Sequence, residues 1–128
     1  MPDIPWKSFG IPDLDREYVL MASALPLRSR LRVPAFLRMT LAVRRQLSTS
    51  PGLRGYSLRA DILGARFWTL SAWDDDAALR SFARAMPHLD IMRKLRPHMG
   101  RTKFVTWHAP GSALPMRWQT GMEKLADG

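Results

Sequence analysis

The chain of 128 residues contains no cysteine, which excludes disulfides, thiolate nucleophiles and cysteine-ligated metals. Its stability must come from packing and hydrogen bonds. No stretch approaches the run of about 20 apolar residues that a membrane-spanning helix needs. The opening MPDIPWKSFGIPDLDREY has acids and prolines where a signal peptide would have a basic start and an apolar run. These absences predict a soluble, cytoplasmic protein with no membrane span. Acids are also scarce, eleven against twenty Lys and Arg, for a formal net charge of +9. Such an excess attracts anions without specifying one. The basic residues are scattered, with no dense run, zinc-finger spacing or RNA-binding aromatic signature, so no specific nucleic-acid partner is expected. A P-loop, a dinucleotide fingerprint, a nucleophile elbow and a paired-carboxylate signature are missing as well, which sets those reaction classes aside.

What remains is hydrophobic patterning. At 46% hydrophobic and 24% charged residues the composition is globular, and the length suits one domain. Residues 1–16 hold Pro2, Pro5, Pro12 and Gly10 and read as an irregular lead-in; 17–128 read as a single domain with a short closing helix. EYVLMASALPL, residues 17–27, is continuously apolar up to Pro26, as a buried strand is. In the segment after it, Val33, Phe36, Leu37, Leu41 and Leu47 recur at helical spacing, with Pro34 in the first turn and SPG at the end. GLRGYSLRAD (52–61) and ARFWTLSAW (65–73) read as a hairpin. Asp74 is the expected N-cap of a helix with Asp75 and Asp76 in its first turn and Leu79, Phe82, Ala83 and Met86 as its apolar stripe, broken at Pro87. A second helical segment covers 88–96, RTKFVTWHAP (101–110) reads as the last strand, and 115–126 as a closing helix anchored by Trp118.

The order strand, helix, strand, strand, helix, strand is the ferredoxin-like βαββαβ arrangement, an α+β fold with an antiparallel sheet. Both helices then lie on one face. The bare opposite face predicts a homodimer.

Several side chains stand out against this frame. Along 67–73, Phe67, Thr69, Ser71 and Trp73 share one strand face, while Trp68, Leu70 and Ala72 share the other. Hydroxyls among aromatics suit a cavity; the purely apolar face suits a helix-packed core. Trp73 is then a stacking wall, or simply a tryptophan packed at the mouth of the sheet. A neutral imidazole at His88 can act as general base, ligate haem iron or donate to a ligand, and can equally start a helix. Helical spacing puts Arg44 within the apolar stripe, where it would meet an anion or snorkel out to the helix end. Arg59 is a second source of positive charge, and His108, alternating with Phe104 and Thr106, is placed to reach the same pocket. His98, in a turn, is expected to be exposed. Histidines so far apart, without an acidic partner at ligand spacing, predict no metal site of their own.

Three segments carry a family resemblance: SPGLRGYSLRAD, FWTLSAWDDDAALRSFARAMPH and RTKFVTWHAP. In their order, with a strand ending W-D/E-x-x-x-A-L and a histidine after the following helix, the chain resembles the dimeric α+β barrel superfamily over residues 17–110. Within it, the chain is similar to antibiotic-biosynthesis-monooxygenase-like proteins and to a bacterial group resembling spheroidene monooxygenase. The resemblance implies a homodimer of paired sheets, with a pocket between sheet and helices in each subunit. It also implies a flat apolar or aromatic, possibly anionic, ligand and an oxidoreductase that is cofactor-free or haem-dependent. Haem-degrading members carry a tryptophan equivalent to Trp73, but their haem-ligating histidine aligns near Met92, one turn beyond His88. Haem and no cofactor therefore both stand as expectations, with His88 and Trp73 as the catalytic candidates.

Overall fold

The computed structural model describes residues 3–86 and 88–127. The helix break expected at Pro87 lies outside them. Five strands, β1 (Asp3–Ser8), β2 (Glu17–Pro26), β3 (Leu53–Asp61), β4 (Arg66–Trp73) and β5 (Lys103–Pro110), form one antiparallel sheet in the order β1-β3-β4-β2-β5. Helices α1 (Val33–Ser48), α2 (Asp76–Arg84), α3 (His88–Leu95) and α4 (Trp118–Asp127) complete the ferredoxin-like α+β fold. No helix among the described residues is long and apolar enough to cross a membrane.

The first departure from expectation is β1. Residues 3–8 are not irregular: Ile4 pairs with Leu58 and Ser8 with Gly55. Pro5 is tolerated because this is an edge strand, where one side of the ladder needs no donor. Gly55 admits the strand closely, since a Cβ there would run into the Trp6 ring.

The second departure is the helix cap. Asp75, not Asp74, caps α2, accepting from the Ala78 amide at 2.8 Å. Asp74 is taken instead by Arg54 of β3, with Nε–Oδ1 at 2.6 Å. That pair holds the Arg54 guanidinium above its usual range, the hydrogen bond to Asp74 outweighing partial burial. Met86, expected on the apolar stripe of α2, is exposed.

The third is the face expected to be bare. The side chains of β4 do alternate, but α4 lies against the Leu70 and Ala72 face, where Leu20, Ala22, Met116 and Leu125 join them in one apolar cluster. Gly121 allows this approach, because a Cβ there would overlap Leu70. Trp6, Trp68, Trp107 and Trp118 border the same cluster. Tail and N-terminal strand together thus supply in cis much of the cover that was expected from a second copy.

The opposite face lies under α1, α2 and α3 and carries two separate apolar clusters. At one end Phe67 packs with Phe36, Ile91 and Leu95, the two phenyl rings stacked 4.1 Å apart. At the other, Trp73 packs with Leu47, Leu53 and Phe82. Between them β4 presents Thr69 and Ser71, and β2 presents Met21 and Ser23. Hydroxyls offer an apolar helix nothing to pack against, and over this central strip the helices leave space.

Candidate functional site

That space is a cavity of about 420 Å³ between the sheet and helices α1–α3, within the ordinary range for small-molecule sites. Its walls are overwhelmingly apolar. The structure brings Trp73, His88, Phe67, Thr69 and Ser71 together around it. Phe82 links Trp73 to His88, its ring centroid 5.2 Å from Trp73 and 4.8 Å from His88.

Trp73 is fully buried at 1% exposure, so it is an inner wall and not a residue at the mouth. Its indole N–H donates to Ser71 Oγ at 2.9 Å, which fixes the ring plane. Ser23 and Thr69, opposite one another on β2 and β4, are hydrogen-bonded through their hydroxyls.

His88 opens α3 and is held from two sides. Its ring Nδ1 lies 3.1 Å from the Ala83 carbonyl. A carbonyl only accepts, so Nδ1 carries the hydrogen and Nε2 keeps a lone pair. Its backbone N–H donates to Gln46 Oε1 at 2.9 Å, while Gln46 Nε2 donates to the Phe82 carbonyl at 3.0 Å. One side chain of α1 thus ties the end of α2 to the start of α3 and sets where the imidazole sits.

Burial pushes the His88 pKa below the ordinary histidine value of 6.5, with the Ala83 hydrogen bond opposing more weakly. The imidazole is therefore neutral at pH 7. As pH falls below about 6.5 the unfolded chain takes up the proton before the native state does. The His88 contribution is fully present above that value and is lost as pH falls through the native pKa. Urea midpoints measured on both sides of pH 6.5 should show this loss, and His88→Gln should have a shallower acid limb. Equal limbs in the two proteins would mean that the imidazole is not desolvated.

The remaining sequence candidates lie elsewhere. His108 does not border the cavity; it is exposed on edge strand β5, with Nε2 3.9 Å from Asp76. β5 lies one strand beyond β2, so although Phe104 reaches the cavity, His108 on the same face does not. Arg44 is half-buried, but its Nε donates to the Tyr56 hydroxyl at 3.3 Å, and it faces a small separate depression with Lys7, Arg45 and Ser48. Arg59 borders the cavity, yet its guanidinium pairs with Asp3 at 3.1 Å and lies 4.7 Å over the Trp118 ring.

Residues not proposed for the site from sequence also line the wall, among them Met21, Ser23, Tyr56, Phe82 and Met92. Ser23 was hidden inside a run read as uniformly apolar. The only signal for it is register, which sets Ser23 against Thr69.

Several solved structures share this fold. A protein from Shewanella oneidensis superposes with a TM-score of 0.65 at 11% identity, over 81% of this chain and 96% of its own. An antibiotic biosynthesis monooxygenase superposes at 0.64 and 15% identity, over 71% of this chain and 97% of its own. A variant of SnoaB, a cofactor-independent oxygenase from Streptomyces nogalater, superposes at 0.56 and 16% identity, over 77% and 97%. At such identities the likeness is one of fold, and fold alone does not carry function. No family sequence pattern matches the chain, and no curated protein matches it in sequence.

Proposed function

Because the chain has the fold of the antibiotic-biosynthesis-monooxygenase-like proteins in the dimeric α+β barrel superfamily, we propose that it takes a flat, apolar small molecule into the cavity and oxygenates it without a cofactor. The observation that carries this reading is the pairing of an apolar cavity, walled by Trp73 and Phe82, with one neutral imidazole whose Nε2 is its free basic atom.

Suitable chemistry is that of an activated methylene. Nε2 of His88 removes a proton, and the resulting carbanion passes one electron to dioxygen. The radical pair recombines into a peroxide at the same carbon. Loss of water, with the proton returned from His88, leaves a carbonyl. One oxygen atom enters the product and the other leaves as water, so the substrate itself supplies the electrons. The burial that keeps His88 neutral keeps it competent as a base. Trp73 and Phe82 give a planar substrate faces to stack on.

Haem fits these residues on one count and fails on another. His88 Nε2 is a suitable axial donor. The propionates, however, need positive partners, and Arg59 is the only Lys or Arg among the described wall residues and is already paired with Asp3. The same lack of a free cation favours an uncharged ligand over an anionic one.

A homodimer belongs to this reading. Phe104, 56% exposed on edge strand β5, borders the cavity and offers a second copy an apolar contact at its mouth.

An oxygen electrode tests the proposal, with 2-tetralone as probe because its C1 methylene lies between an aromatic ring and a carbonyl. Uptake of one dioxygen per molecule of product, with labelled oxygen found in the new carbonyl, is expected. Saturable binding without any uptake would leave a non-catalytic ligand-binding protein.

A further inference from the structure

The outer side of α1 is not an ordinary solvated helix face. Leu31, Pro34, Arg38, Leu41 and Arg45 are all exposed and follow one another at alternating spacings of three and four residues, from the short helical turn Arg30–Arg32 into the helix. That is the period of about 3.6 residues that lines up one side of a helix. The buried residues Val33, Phe36 and Leu47 take the other side. Among the exposed arginines stand bare leucines: Leu31 is 89% exposed and Leu41 54%, with Leu37 beside them at 41%. One exposed leucine is ordinary, whereas several along one helix mark a surface that meets something other than water.

The charge of this face is one-sided as well. No Asp or Glu occurs between Glu17 and Asp61, so the turn and the helix hold no acid of their own. None of the ion pairs among the described residues engages Arg30, Arg38 or Arg45. A second copy of the chain would bring the same acid-free arginines against one another, and like charges oppose such pairing. A nucleic acid would suit the arginines but leave the leucines idle, and the stripe offers no aromatic ring for a base to stack on. An anionic bilayer uses both residue types. Leucines enter the boundary between headgroups and acyl chains, while arginines extend to the headgroup anions.

We infer that the outer face of α1, with the turn before it, docks on an anionic lipid surface. The protein lies on that surface and does not span it. Leu37 belongs to this face and also borders the cavity, so docking brings one edge of the cavity to the phase in which apolar molecules concentrate. The docking itself does not depend on what the cavity holds.

Sedimentation with vesicles tests it, pure phosphatidylcholine against a mixture in which about a third is phosphatidylserine. The full chain should bind the mixed vesicles at least about tenfold more tightly, and added salt should weaken that binding. Arg38→Gln with Arg45→Gln should lower affinity for the mixed vesicles about 25-fold, a factor of about five for each surface arginine. Leu31→Ser with Leu41→Ser should lower it about tenfold or more at unchanged charge. All four side chains are exposed, so neither pair of substitutions removes core packing. Equal binding to both kinds of vesicle, or binding to neither, would overturn the inference. So would full affinity in the leucine pair, because arginines alone attract any polyanion. Salt-sensitive binding to a DNA duplex as tight as to the mixed vesicles, and unmoved by the leucine substitutions, would assign the face to a nucleic acid instead.

Discussion

Replacing His88 by glutamine is expected to lower oxygen uptake on 2-tetralone by about 10²–10⁴-fold, the usual share of a positioned general base. The loss should fall on kcat with KM little changed, because the planar substrate is held by Trp73 and Phe82 and not by the imidazole. The unaltered protein should also lose activity as pH falls through the native His88 pKa, which burial holds below the ordinary histidine value, and that limb should vanish in the variant. Gln46 offers a related but distinct loss. Gln46→Leu leaves the imidazole intact but removes both ties that place it, to the His88 amide and the Phe82 carbonyl. Undiminished uptake in His88→Gln would return His88 to the role of a helix-start residue.

Trp73→Ala should lower unfolding stability by about 3–5 kcal/mol, the range for a large aromatic deleted from a core. The ring is 1% exposed, packs against Phe82 and donates to Ser71, so its loss joins new empty volume to a cavity already present. Chemical denaturation reads the effect as a shift of midpoint at unchanged slope. Trp73→Phe, which keeps most of the bulk, should cost clearly less. A loss below about 1 kcal/mol for the alanine variant would mean that Trp73 packs loosely at the sheet's rim.

The alternation along FWTLSAW was legible because strand side chains alternate strictly, so Phe67, Thr69, Ser71 and Trp73 had to share a face. Which cover each face would receive was not. That depended on where the tail goes, and α4 reaches the Leu70 face only because Gly121 admits it closely. Nor was β1 visible: Pro5 argues against a strand in isolation, yet costs nothing at an edge. Arg44 was marked by its helical angle, and it is indeed half-buried, but angle alone does not say which neighbour it meets; Tyr56 takes its Nε. His108 shows the opposite limit. Its parity on the last strand is right, while its strand lies at the sheet's edge. Gln46 could not have been found from spacing, since its partners Phe82 and His88 join it only through the packing of three helices.

A flat apolar ligand should lie on the Trp73 face of the sheet, under α1–α3, and not among the tryptophans of the opposite face. Nuclear Overhauser contacts from bound naphthalene to assigned side chains measure that directly. Saturable contacts to the Trp73 indole, the Phe82 ring and the His88 imidazole are expected, with Trp107 and Trp118 silent. Contacts confined to Trp107 and Trp118 would place the ligand under α4 and contradict this placement.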